Sequence, residues 1–127
     1  MMNETKRKPF AVWIVGDTDY RLKLDTATIA ELETKFKCNL LTLLESSGSM
    51  PALSVMLTII HGAMKKFNHG VTYKEVQSLF DQYLDEGGSQ VAFLSDIVLP
   101  VYQVSGFFSE AQTEVMDSQM AEVRENI

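Results

Sequence analysis

The stretch Pro51-Ala52-Leu53-Ser54-Val55-Met56-Leu57-Thr58-Ile59-Ile60-His61-Gly62-Ala63-Met64-Lys65-Lys66-Phe67 constrains this chain more than any other. Leu53, Met56, Leu57, Ile60, Met64 and Phe67 recur at the spacing of one helical face. Val55, Ile59 and Ala63 widen that face, which leaves Ser54, Thr58, His61 and Lys65 as a narrow polar stripe. A helix apolar over most of its circumference has to be covered from several sides. It is therefore read as the central helix of a small globular domain.

The rest of the chain is large enough to cover it. With 127 residues, 46% of them hydrophobic, the sequence suits one domain of ordinary size. The net charge of −6 gives no electrostatic support to nonspecific nucleic-acid binding. Cys38 is alone, which excludes an internal disulfide and a multi-cysteine zinc site and fits a reducing cytoplasm. No apolar run follows the basic Lys6-Arg7-Lys8, so no signal peptide is expected. Residues 46–64 lack charge and approach the length of a membrane span. They open on Ser46-Ser47-Gly48-Ser49 and contain Pro51 and His61, so a buried soluble helix is expected and no membrane partner.

Before the central helix, Phe10 to Val15 is rich in β-branched and aromatic residues and reads as a strand. Gly16-Asp17-Thr18-Asp19 is turn chemistry, and Tyr20, Leu22 and Leu24 alternate with Arg21 and Lys23 as a half-buried second strand. A lone hairpin is marginal, so this one has to pack on the helices. A first helix follows. Thr28 with Glu31 fits a capping box, with Asp25 or Thr26 as competing caps, and the helix should end near Lys37-Cys38-Asn39. Leu40 to Leu44 is a short helical turn or a continuation. Ser49 or Met50 is expected to cap the central helix, with Pro51 in its first turn. Asn68-His69-Gly70 should end it in a left-handed cap.

Thr72 with Glu75 starts an amphipathic helix with Val76, Leu79, Phe80 and Tyr83 inward, and Gly87-Gly88 ends it. Ser89 then caps a helix from Gln90 to about Ser105 with Leu94, Ile97, Val98, Val101 and Tyr102 as its apolar face. Pro100 frees the carbonyl of Asp96 and must kink this helix or split it in two. The fold class is thus α+β, mostly α: an N-terminal β-hairpin followed by a bundle of about four helices. Residues 1–108 read as one globular domain. Residues 109–127 read as an acidic C-terminal tail, mobile or helical on binding, with Val115, Met116, Met120 and Val123 as a weak helical stripe.

Little in the sequence points to catalysis. His61 and His69, eight residues apart, lack the helical spacing of a ligand pair. Cys38 has no local signature of a nucleophile, and Asp81, Asp85 and Glu86 read as a solvated helix end without an acid–base partner. Gly87-Gly88 has no preceding strand and no Gly-Lys-Ser/Thr ending, so it is not a phosphate loop. No catalytic residue, metal or cofactor is therefore expected. The seven methionines matter more, because methionine surfaces adapt to varied apolar partners. Phe107, Phe108, Val115, Met116 and Met120 lie beyond the expected core and are the candidate partner-binding residues.

The order of elements also resembles a known one. The strand pair, Leu24-Asp25 leading into Ile29-Ala30-Glu31-Leu32-Glu33, Asn39-Leu40-Leu41, Ile59-Ile60-His61-Gly62-Ala63-Met64 and Thr72-Tyr73-Lys74-Glu75-Val76 are similar to the tail assembly chaperones of long-tailed bacteriophages and prophages. The nearest in pattern are those of phages of Gram-positive hosts and of gene transfer agents. The resemblance spans about residues 8 to 108 and rests on no invariant catalytic motif. It implies a protein without enzymatic activity or cofactor, acting in the cytoplasm of a bacterial host. Its partners would be the tape-measure protein and the tail-tube protein, with self-association left open. Many genes of that family also yield a longer frameshifted product. The alternative, from a different class, is a small helical adaptor or regulatory module binding a protein or nucleic acid.

Overall fold

A computed structural model describes residues 7–45 and 50–125, with side chains for all of these except 45 and 120–125. The chain begins with an antiparallel hairpin, β1 (Ala11–Val15) and β2 (Thr18–Leu22). Gly16 takes φ +61°. A left-handed glycine at the first central position is what a two-residue hairpin turn requires. The turn is therefore only Gly16-Asp17, and β2 starts two residues earlier than the alternation of Tyr20, Leu22 and Leu24 suggests. It also ends earlier, because the next ladder position sets Leu24 opposite Pro9, which has no N–H, and the Leu24 N–H bonds the Ser105 hydroxyl at 3.0 Å instead. Ala11, Trp13 and Val15 face the core, whereas Val12 and Ile14 face outward.

Helix α1 (Thr26–Phe36) is capped by Asp25, whose carboxylate accepts from the Thr28 N–H at 2.9 Å. This settles the three competing caps in favour of Asp25 and places Thr28 inside the helix. That hydrogen bond also holds the Asp25 carboxyl below its usual value. Lys37 ends α1 at φ 59°. Helix α2 (Leu40–Glu45) starts on Asn39, whose side chain accepts from the Leu41 N–H at 2.8 Å.

Helix α3 (Leu53–Lys65) is the central helix that the sequence demands. Met56, Leu57, Ile59, Ile60, Gly62, Ala63 and Met64 are all buried in it. Its ends differ from expectation. The N-cap is Ala52, extended at φ −60° and ψ 144° and without a side-chain cap, so Pro51 precedes the helix rather than opening it. Of the expected caps, Ser49 lies outside the described residues. At the other end the helix stops at Lys65, and the Asn68 N–H folds back onto the Met64 carbonyl at 2.9 Å. No left-handed residue is needed there, and none of Asn68, His69 and Gly70 takes a positive φ.

Helix α4 (Tyr73–Asp85) opens on a complete Thr72–Glu75 capping box and buries Val76 and Phe80. Gly87, at φ +103°, turns the chain, and Gly88 then lies against the Tyr83 ring. A Cβ at Gly88 would stand 2.4 Å from that ring, whereas one at Gly70 would meet nothing within 4 Å. Gly88→Ala is therefore expected to destabilise the protein by about 1–3 kcal/mol through overpacking. Gly70→Ala should leave the thermal melt, followed by circular dichroism, in place.

The proline-containing helix is neither broken nor left with an ordinary kink. Helix α5 (Gln90–Phe93), capped by Ser89, runs through a π-helical turn (Leu94–Val98) into α6 (Leu99–Val104). The Leu99 N–H bonds the Leu94 carbonyl, five residues back. Widening the helix just before Pro100 lets the ring pass without a steric break. The extra residue also rotates the apolar face. Phe93 and Val104 join Ile97, Val98, Val101 and Tyr102 in the core, and Leu94 becomes half-buried. The last element, α7 (Glu110–Glu125), follows a short turn.

The hairpin lies over α3, α4 and the π turn, with Trp13 at the centre. Its ring meets Phe93 at 5.2 Å, Tyr83 at 5.8 Å and Tyr20 at 6.5 Å between centroids. Among the described residues no polar or charged residue is buried in this core. None of the described helices is long and apolar enough to cross a membrane.

Candidate functional site

The end of α6 decides where the five candidate residues go. Gly106, at φ +93°, provides the left-handed residue that closes the helix. The Ser105 N–H bonds the Val101 carbonyl at 3.1 Å, and the Phe107 N–H reaches back to Tyr102 at 3.3 Å. That six-residue return is a Schellman motif, which is usually sealed by an apolar contact between its outermost residues. Phe107 supplies it by packing on the Tyr102 ring at 4.6 Å. Tyr102 is itself buried, and its hydroxyl donates to the Leu40 carbonyl at 2.9 Å. Burial pushes that hydroxyl well above its ordinary pKa, so it remains a donor. Phe107 is thus half-buried and packed against the frame.

Phe108, also half-buried and packed against the core, lines a different surface. Its carbonyl accepts from the Arg7 guanidinium, which ties the N-terminal arm to this turn. Ser109 then opens α7 with a capping box: the Gln112 N–H bonds the Ser109 hydroxyl at 3.1 Å, and the Ser109 N–H bonds the Gln112 side chain at 2.8 Å. Helix α7 touches the domain along Glu110, Thr113 and Met116, which are half-buried at helical spacing. Gln103 of α6 donates to the Asp117 carboxylate at 3.3 Å. Arg7 and Lys8 line the same cleft as Glu110, Glu114 and Asp117, so basic arm and acidic helix lie close together.

This arrangement leaves an open, mainly apolar groove of about 400 Å³ lined by Phe108, Ala111, Gln112, Val115 and Met116. Val115 is 55% exposed. Three of the five sequence candidates, Phe108, Val115 and Met116, therefore come together. Phe107 is turned inward, and the side chain of Met120 lies outside the described residues. Met116 also lines a second cavity, of about 500 Å³, between α7 and the π turn with Leu99 and Pro100. Ala111 and Gln112 belong to the groove but not to the sequence reading. The Ser-x-x-Gln spacing after Phe108 was a local signal for the cap that places them.

Of the residues weighed for chemistry, His61 and Glu86 make structural contacts. His61 Nε2 lies 3.0 Å from the Val71 carbonyl, and its ring meets Tyr73 edge-on. His69 is exposed. Glu86 accepts from the Gly16 N–H at 2.9 Å and from Gln82 at 3.0 Å, clamping the hairpin turn to α4. Cys38 is half-buried beside the end of α1. Among the described residues no group of His, Cys, Asp and Glu is placed to hold a metal ion.

A family model described as "Family of unknown function (DUF6096)" matches residues 6–125. Comparison with curated proteins and with solved structures gives no match.

Proposed function

The chain belongs to the DUF6096 family, and from its own residues and geometry we propose that it is a tail assembly chaperone of a long-tailed phage or prophage. In this reading it binds the tape-measure protein and helps to recruit tail-tube subunits in the cytoplasm of the bacterial host, without enzymatic activity. The observation that supports it best is the open apolar groove of Phe108, Ala111, Val115 and Met116 on an otherwise acidic helix. A tape-measure protein is long and helical, and before assembly it exposes apolar stripes. A helix laid into a groove reads such stripes through anchors at helical spacing. Many copies of a small domain would coat one partner with modest affinity per contact. The net charge of −6 would keep the coated complex in solution. The order of elements, which resembles that of known tail assembly chaperones, supports the same reading.

Co-expression with the tape-measure protein encoded nearby tests it. The tape-measure protein should move from pellet to supernatant, in a complex containing many copies of this chain. Val115→Ser combined with Met116→Ser should weaken that effect severalfold while the isolated protein keeps its melting curve, because Val115 is exposed and Met116 half-buried. Phe107→Ser is not a useful contact variant, since it opens the Schellman contact with Tyr102. If abundant folded wild-type protein leaves the tape-measure protein insoluble, the chaperone reading fails and a different adaptor role takes its place.

A further inference from the structure

The two edges of the hairpin are built differently. In a hairpin closed by a two-residue turn, the residues beside the turn exchange both ladder hydrogen bonds, and the pattern alternates from there. Val15–Thr18, Trp13–Tyr20 and Ala11–Leu22 are then the hydrogen-bonded pairs. Val12 and Ile14 on β1, and Asp19 and Arg21 on β2, aim their backbone N–H and C=O groups away from the partner strand. No backbone group among the described residues bonds them.

On β2 that edge is protected. Asp19 and Arg21 place charges along it, and the next N–H, from Lys23, is taken by the Ala63 carbonyl. On β1 nothing comparable exists among the described residues. The run Phe10-Ala11-Val12-Trp13-Ile14-Val15 carries no charge and no internal proline, and its register with β2 is free of bulges. Its outward side chains, Val12 and Ile14, are 39% and 60% exposed. An apolar, unprotected edge of this kind is a template for another strand.

We propose that β1 pairs antiparallel with β1 of a second copy of this chain, about a two-fold axis at Trp13, to form one four-stranded sheet across a dimer. A second copy fits because the register is self-complementary. With Trp13 opposite Trp13, Val12 of each copy falls opposite Ile14 of the other. Those are the residues whose backbone groups are unpaired, so both pairs can exchange their ladder bonds. Across the exposed face each row then reads Arg21, Val12, Ile14, Asp19, because Arg21 stands opposite Val12 and Asp19 opposite Ile14 within a copy. The apolar pair sits in the middle, with one cation and one anion at the ends of the row. A slip of one residue would set outward side chains against core-facing ones. Pairing about Ile14 instead would leave Val12 opposite the turn residue Gly16.

The test uses the full chain in sedimentation velocity over a wide concentration range, with amide exchange followed by NMR. A reversible dimer is expected, in which the Val12 and Ile14 amides exchange slowly and the Asp19 and Arg21 amides exchange as they do in the monomer. Ile14→Lys should raise the dimer dissociation constant by about tenfold, since it disrupts two symmetry-related cross-strand pairs. Its side chain lies outside the core, so the melting curve of the dilute protein should not move. A monomer at every concentration overturns the proposal. So does a dimer that Ile14→Lys does not weaken, or one that protects the β2 amides in place of those of β1.

Discussion

Leu57→Asp should leave no folded protein at room temperature. Leu57 lies on the inward side of α3 and is 4% exposed. Its neighbours along that helix, Met56, Ile60, Ala63 and Met64, are as deeply buried, and no polar residue lies within this core to receive a charge. An unpaired carboxylate there costs several kcal/mol even after it protonates. A domain of this kind has about 5–15 kcal/mol in all, so most or all of its stability is lost. Ser54→Asp, on the exposed stripe of the same helix, is the control and should melt as the wild type does. Far-UV circular dichroism with urea titration distinguishes the two. A Leu57→Asp protein with a normal melt would mean that α3 is not the centre of the core.

Trp13→Ala should cost about 3–5 kcal/mol, the range for removing a large aromatic side chain from a packed interior. Trp13 is fully buried, and it joins the hairpin to aromatic rings of α4 and α5 through Tyr83 and Phe93. A two-stranded sheet has little stability of its own, so losing this ring should loosen the whole hairpin. Trp13→Phe should cost much less. It keeps most of the ring contacts and removes the indole N–H, which is buried without a hydrogen-bond partner among the described residues. Urea denaturation of the two variants measures the difference. If Trp13→Ala is no less stable than Trp13→Phe, the hairpin is not anchored through this ring.

Phe107 shows where sequence reading and structure part. By hydropathy alone it is one more apolar residue beyond the expected core, equivalent to Phe108. The difference between them comes from Gly106, whose left-handed turn sends the first ring onto Tyr102 and the second into the groove. Pro100 is a similar case. Its missing N–H is evident from the sequence, but a kink, a break and a π turn all answer it, and neighbouring packing selects among them. The start of α3 is a third case. Pro51 suits a first helical turn by local preference, yet the helix starts at Leu53.

By itself the sequence determined the hairpin, the central position of α3, the Thr72–Glu75 capping box and the inward face of the helix that it opens. Each of these is written within about one helical turn or one strand repeat, where sterics and hydrogen bonding act on near neighbours. Only the tertiary structure decided which apolar residues beyond the core share a groove, which strand edge stays open and which aromatics pack on the frame. Those outcomes depend on contacts such as Tyr102 with Leu40 and Arg7 with Phe108, 62 and 101 residues apart along the chain. No local periodicity encodes such pairs, because they form only once burial of the core has fixed where each element lies.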